Sequence, residues 1–192
     1  MLTQIINGQI LTPQGWLKDG SVLISDGKIL EITNSDLAVI GATVIDAKGM
    51  YIVPGFVGMH IHGGGGFDFT EGTEEAFQTA VAAHLKHGAT TVFPTLSSSS
   101  FDTIRKAVAV CEKMMQNADG VVQGLHIEGP YLNRKMAGAQ WDEFLKNPDP
   151  EEYLPLLEST QCIKRWDISP ELPGAHDFAR YTSGRGILTA VT

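Results

Sequence analysis

From Phe56 onward, five short apolar runs alternate with segments of helical periodicity, and this alternation constrains the fold more than any other feature. The runs are "FVGMHI" at 56–61, "ATTVF" from Ala89, "VVQGLHI" from Val121, "CIKRWDI" from Cys162 and "GILTAV" from Gly186. Between the first two, Thr73 is placed to cap a helix that opens on Glu74 and Glu75, carboxylates suited to a helix N-terminus. Its apolar residues Ala76, Phe77, Ala80, Val81 and Leu85 share one stripe, and Gly88 marks its stop. Residues 101–117 put Ile104, Val108, Cys111 and Met115 on one stripe, and further helices are expected at 151–159 and around 176–181. Strands joined through helices must run parallel, with right-handed crossovers. A doubly wound sheet and a (β/α) barrel both satisfy that order. A complete barrel takes about 250 residues, whereas 138 follow Pro54 here. The barrel reading therefore predicts about the first five β/α units over residues 54–192.

Residues 1–53 read differently, as short strands with tight turns: "QIINGQILT", "SVLISDGKILEI" and "ATVIDAKG". Asn7-Gly8 and Asp26-Gly27 are candidates for the positive φ angles of two-residue hairpins. Val22 and Ile24 alternate with Ser21 and Ser25, the pattern of a strand with one buried face. This predicts a small piece of a β-sandwich, too short to stand without a partner sheet.

The net charge of −8, with no cluster of Lys or Arg, argues against nucleic acid or an anionic membrane as partner. No run approaches the ~18 apolar residues of a membrane span, and "MLTQIINGQILTPQGW" has no signal-peptide pattern. A cytoplasmic protein is expected, with the two isolated cysteines, Cys111 and Cys162, as buried free thiols.

Chemistry concentrates at two strand ends. In "GMHIHGGGGFDF" (58–69), His60 and His62 lie two residues apart on a strand, so both imidazoles face the same space. Two neutral nitrogen donors so placed suit a metal ion. The rival readings fail on their partner motifs: an oxyanion loop needs G-x-S-x-G, a phosphate loop needs G-x-x-x-x-G-K-[ST], and neither occurs. The glycines then read as a turn that lets backbone approach a ligand. In "GLHIEGPYLN" (124–133), Glu128 stands at the mouth of the expected barrel, where a carboxylate is costly unless it binds a cation. His126 lies deeper and reads as a core histidine, while His84, His87 and His176 read as structural or solvated.

"VPGFVGMHIHGGGGFDF", "GATTVFPT", "GLHIEGPYLNRKMAGAQ" and "ISPEL", in this order, resemble the N-acetylglucosamine-6-phosphate deacetylase family of the amidohydrolase superfamily. The resemblance implies a metal-dependent hydrolase on a (β/α)8 TIM barrel, which removes acetate from N-acetyl-D-glucosamine 6-phosphate in amino-sugar catabolism. Glu128 would ligate the main catalytic metal, and His60 and His62 a second one. Ala139 would touch the sugar through its backbone, with Gln140 beside it. Zinc is the expected metal, although iron, cobalt and manganese accept the same donors. Two further metal histidines and the catalytic aspartate are expected beyond Thr192. No catalytic residue is thus assigned, and the 192 residues alone are expected to be inactive and prone to associate. The full-length enzyme is expected to be a homodimer whose partner is a small sugar phosphate. The alternatives are an amidohydrolase for another N-acetyl amino sugar and a non-catalytic metal-binding fragment.

Overall fold

The computed structural model describes all residues except 36, 37, 118 and 119. They divide into two compact units, Met1–Pro54 and Gly55–Thr192.

The first unit is a five-stranded sheet of β1 (Leu2–Thr12), β2 (Gly15–Ser25), β3 (Lys28–Thr33), β4 (Thr43–Asp46) and β5 (Tyr51–Ile52). The order is β3-β2-β1-β4, with β5 also on β1; β2 is antiparallel to both its neighbours, and β4 and β5 run parallel to β1. Asp26 and Gly27 take φ of 50° and 76° and turn β2 into β3 as expected. Asn7-Gly8 does not turn the chain. β1 runs straight through it, and the pairing with β2 changes register on both sides of Gly8, the signature of a bulge. Asn7 holds its positive φ of 56° while its amide donates to Asp46 Oδ1 at 3.1 Å, a partner brought by a distant strand. The first hairpin turns instead at Pro13-Gln14, closed by the Thr12 hydroxyl donating to the Gly15 carbonyl at 2.8 Å. Nor is Ser21 on a solvent face. It is buried beside Val22, accepting from Gln4 Nε2 at 3.4 Å and donating to the Ser35 carbonyl at 3.1 Å.

In the second unit, β6 (Phe56–Ile61), β9 (Ala89–Leu96), β10 (Leu125–Glu128), β11 (Ile163–Ile168) and β12 (Leu188–Val191) form one parallel sheet. A small hairpin, β7 (Gly63–Gly64) with β8 (Phe67–Asp68), follows β6. The helices are α1 (Glu74–Leu85), α2 (Phe101–Met115), α3 (Pro150–Ser159) and α4 (Ala175–Gly184). The starts of the first three are chemically marked: Thr73, Ser100 and Asp149 each accept from a backbone N–H of the first turn. The strand order is sequential, β6-β9-β10-β11-β12. A doubly wound sheet reverses its order at a switch point; this sheet does not, and the second unit is part of a (β/α) barrel.

The core lies between sheet and helices. Phe77, Ala80, Ile104, Val108 and Cys111 of α1 and α2 meet Val92, Leu96, Leu125 and Ile127, and both cysteines are buried and free. Trp166 of β11 anchors the far side. Its ring stacks on Tyr131 at 5.6 Å between centroids, meets Phe178 edge-on at 5.2 Å, and donates through Nε1 to the Gly129 carbonyl at 2.9 Å. That bond ties down the residue following Glu128. At the two outer strands, Phe56, Val57 and Met59 of β6 and Leu188 and Val191 of β12 are exposed.

Candidate functional site

The carboxyl ends of β6 and β10 bring His60, His62 and Glu128 together, with their donor atoms all within 4.8 Å of one another. Glu128 Oε2 lies 3.0 Å from His62 Nε2, and Oε1 lies 3.5 Å from His60 Nε2. The two Nε2 atoms are 3.1 Å apart. Strand alternation explains the histidine pair, because Ile61 points away between them and its N–H donates to Thr95 Oγ1 on β9 at 2.9 Å. Ser97 Oγ stands 3.1 Å from His62 Nδ1 and so turns the opposite nitrogen towards Glu128.

Gln140 braces the carboxylate. Its Nε2 donates to Glu128 Oε2 at 2.7 Å while its Oε1 accepts the Ser98 N–H at 2.7 Å. Both ends of the amide are therefore engaged in the protein. Ala139 beside it is exposed. The hydrogen bond to His62 holds the Glu128 carboxyl below its ordinary pKa against the opposing effect of burial, with His60 and Gln140 adding to the depression. The same bond raises His62 above the usual histidine value.

These donors fit a metal ion. Two lone-pair nitrogens facing each other at 3.1 Å repel unless a proton or cation lies between them. Two nitrogens bound about 2.0–2.1 Å from a tetrahedral zinc stand about 3.3 Å apart. A carboxylate on the same side supplies negative charge, and nitrogen with oxygen donors suits zinc and its divalent neighbours.

The glycine run forms a tight hairpin packed against α1. Gly63 and Gly64 form β7, and Gly65 and Gly66 turn it with φ of 64° and 92°. A Cβ on Gly63 would stand 2.0 Å from the Phe67 carbonyl, and one on Gly64 would stand 3.2 Å from the Ala80 carbonyl of α1. The close approaches are thus to the hairpin's own partner strand and to a helix. His84 of α1 pins this hairpin, its Nε2 lying 2.8 Å from the Gly63 carbonyl.

His126 is fully buried, with Nδ1 3.0 Å from Thr95 Oγ1 and Nε2 2.9 Å from Asp167 Oδ1. Burial lowers its pKa, with Asp167 opposing. Asp167, 1% exposed, is gripped by Arg165 through Nε at 2.8 Å and Nη2 at 3.1 Å. Burial acts to raise its pKa, yet His126 and Arg165 together hold it below the ordinary carboxylate value. Sequence reasoning passed over this pair. The available signal was the R-x-D spacing in "CIKRWDI", which puts both side chains on one face of β11.

Residues 51–170 match the amidohydrolase family. The chain is 29% identical over 190 residues to the N-acetylglucosamine-6-phosphate deacetylase of Lysinibacillus sphaericus, covering 97% of this chain and 49% of that protein. It is 31% identical over 172 residues to the enzyme of the same name from Haemophilus influenzae, covering 88% of this chain and 45% of that one. Among solved structures, an N-acetyl-D-glucosamine-6-phosphate deacetylase D267A mutant from Mycobacterium smegmatis, in complex with N-acetyl-D-glucosamine-6-phosphate, superposes with a TM-score of 0.88 at 26% identity. That match covers 99% of this chain and 49% of that one. The chain thus spans about half the length of the curated relatives it matches. The matched family segment makes up well over half of the 192 residues and contains all three converging donors, so the chain belongs to the amidohydrolase family.

Proposed function

We propose that these residues form part of a metal-dependent deacetylase that converts N-acetyl-D-glucosamine 6-phosphate and water into D-glucosamine 6-phosphate and acetate. The observation that carries this reading is the convergence of His60, His62 and Glu128 at strand ends of a barrel whose relatives bear that name. Glu128 is the ligand of the main metal and His60 with His62 the accessory pair, with zinc as the ion. When bound, a divalent metal supplies Lewis-acid polarisation of the amide carbonyl and activation of water.

The chain's own residues prepare that site. Gln140 and His62 keep Glu128 ionised and aimed, and Ser97 fixes the His62 ring. Ala139, exposed next to Gln140, offers its backbone to the sugar. Ser97 also lines a cleft of about 470 Å³ together with Thr70, Ser98, Ser99 and Trp141. Hydroxyls beside an aromatic face suit a sugar ring. Asp68, Glu71 and Glu143 on the same cleft repel phosphate, so the 6-phosphate is assigned to another wall. We assign residues 1–53 to a β-sandwich whose second sheet covers Ile29 and Ile45, which share one face of this sheet and are exposed on it. The same reading makes the enzyme a cytoplasmic homodimer of amino-sugar catabolism, with no nucleic-acid or membrane partner. Among the described residues, no helix is long and apolar enough to cross a membrane.

The test is an assay of the protein carrying these residues, together with whatever sequence its gene encodes beyond them. With zinc present it should release acetate from N-acetyl-D-glucosamine 6-phosphate. Turnover no faster than in the chelated control would overturn the reading. In the same protein, changing His60 and His62 together to Asn should remove the accessory ion while largely sparing the main one. Metal analysis that finds the same zinc stoichiometry in both proteins would refute that division of ligands.

A further inference from the structure

Behind the candidate ligands lies a run of polar contacts whose direction follows from chemistry. Asp167 is held by two Arg165 nitrogens and stands 2.9 Å from His126 Nε2. A carboxylate only accepts, and a lone pair on Nε2 facing it would be repelled, so Nε2 carries the imidazole hydrogen. Nδ1 is then the acceptor, and the Thr95 hydroxyl, 3.0 Å away, donates to it. Another acceptor for that hydroxyl, the Phe93 carbonyl, is farther off at 3.3 Å. Thr95 Oγ1 in turn accepts the Ile61 N–H at 2.9 Å. The donors therefore point one way, from the Ile61 N–H between His60 and His62 through Thr95 to His126, whose Nε2 makes a close electrostatic contact with Asp167 rather than an aligned hydrogen bond; Arg165 grips the same carboxylate from the other side. The His126 ring also meets the His60 ring edge-on, 4.8 Å between centroids at 89°. His126, Thr95 and Asp167 are all buried, so solvent does not substitute for any of these contacts.

We propose that Arg165, Asp167, His126 and Thr95 are positioning residues that set the backbone and ring orientation of the His60–His62 pair for metal binding. The inference rests on the reading of that pair as ligands. Partners that orient metal ligands change affinity by about 10–100-fold when removed, and this chain reaches the pair through both its backbone and a ring face.

The experiment is a zinc titration against a chromophoric chelator, using the purified protein with all other residues unchanged. Thr95→Val keeps shape and volume but removes the hydroxyl, and should weaken zinc binding by about 10–100-fold. Thr95→Ser keeps the hydroxyl and should bind nearly as the unaltered protein does. Asp167→Asn removes the charge that orients His126 and should weaken binding in the same direction as Thr95→Val. Equal affinity in the Val variant and the unaltered protein would overturn the proposal while leaving the ligand assignment standing. So would equal losses in the Ser and Val variants, which would mark a packing effect. No zinc binding by the unaltered protein would overturn the ligand assignment, and the proposal with it. Circular dichroism checks folding; if Thr95→Val does not fold, Asp167→Asn decides, and unchanged zinc affinity there would overturn the proposal.

Discussion

On the proposed deacetylase reading, Glu128→Gln in the protein carrying these residues is expected to abolish tight zinc binding and to lower kcat/KM for the acetylated sugar phosphate by about 10³-fold or more. The change is nearly isosteric, so the loss would come from charge and hydrogen bonding rather than from shape. Glu128 is 15% exposed and touches His62, His60 and Gln140. A neutral amide there keeps the shape of the cluster but offers a far weaker ligand, and its NH2 group opposes the Gln140 donor. Several kcal/mol of transition-state stabilisation depend on the metal, and about 1.4 kcal/mol corresponds to each factor of ten. Metal analysis alongside steady-state kinetics checks both halves. A variant that retained zinc and turned over at near-normal rate would remove Glu128 from the primary site.

Trp166→Ala is expected to be the most damaging of the core changes to stability, by about 3–5 kcal/mol. Domains of this size are stable by only about 5–15 kcal/mol. The residue is fully buried, it stacks on Tyr131 and meets Phe178 edge-on, and its removal strands the Gly129 carbonyl. Trp166→Phe keeps most of the ring contact and should lose less. Urea unfolding followed by circular dichroism measures both, with the shift appearing in the midpoint rather than the slope. A loss below about 1 kcal/mol for the alanine variant would mean that the aromatic cluster repacks around the gap.

Much of the second unit is legible in the sequence. Apolar runs and cap residues located the five strands of the main sheet and the four α-helices, because burial against one sheet demands the same periodicity wherever it occurs, but not the β7-β8 hairpin, which lies outside that sheet. Boundaries moved by a few residues: α2 stops at Met115, α4 runs from Ala175 to Gly184, and the third strand pairs regularly only from Leu125, with Val122 making an isolated bridge. The first unit was less legible. Asn7-Gly8 carries the turn chemistry but lies within a strand, since a positive φ is equally at home in a bulge. Local sequence does not say which strand will supply the partner for the Asn7 amide.

The same division runs through the site. Two-residue spacing alone determined that His60 and His62 share a face, and position at a strand end singled out Glu128, because a strand repeats every two residues whatever surrounds it. Only tertiary structure decided that a residue 66 positions beyond His62, at the end of β10, would set its carboxylate against both rings. It also decided that Gln140 would spend both ends of its amide on Ser98 and Glu128, and that His84 would hold the glycine hairpin. Asp167 and Arg165 are ordinary polar residues in an ordinary strand until the parallel register of β10 and β11 sets His126 beside them. Periodicity is local and can be read along a chain; the pairing of buried charges depends on which strands become neighbours, and that is a property of the folded sheet.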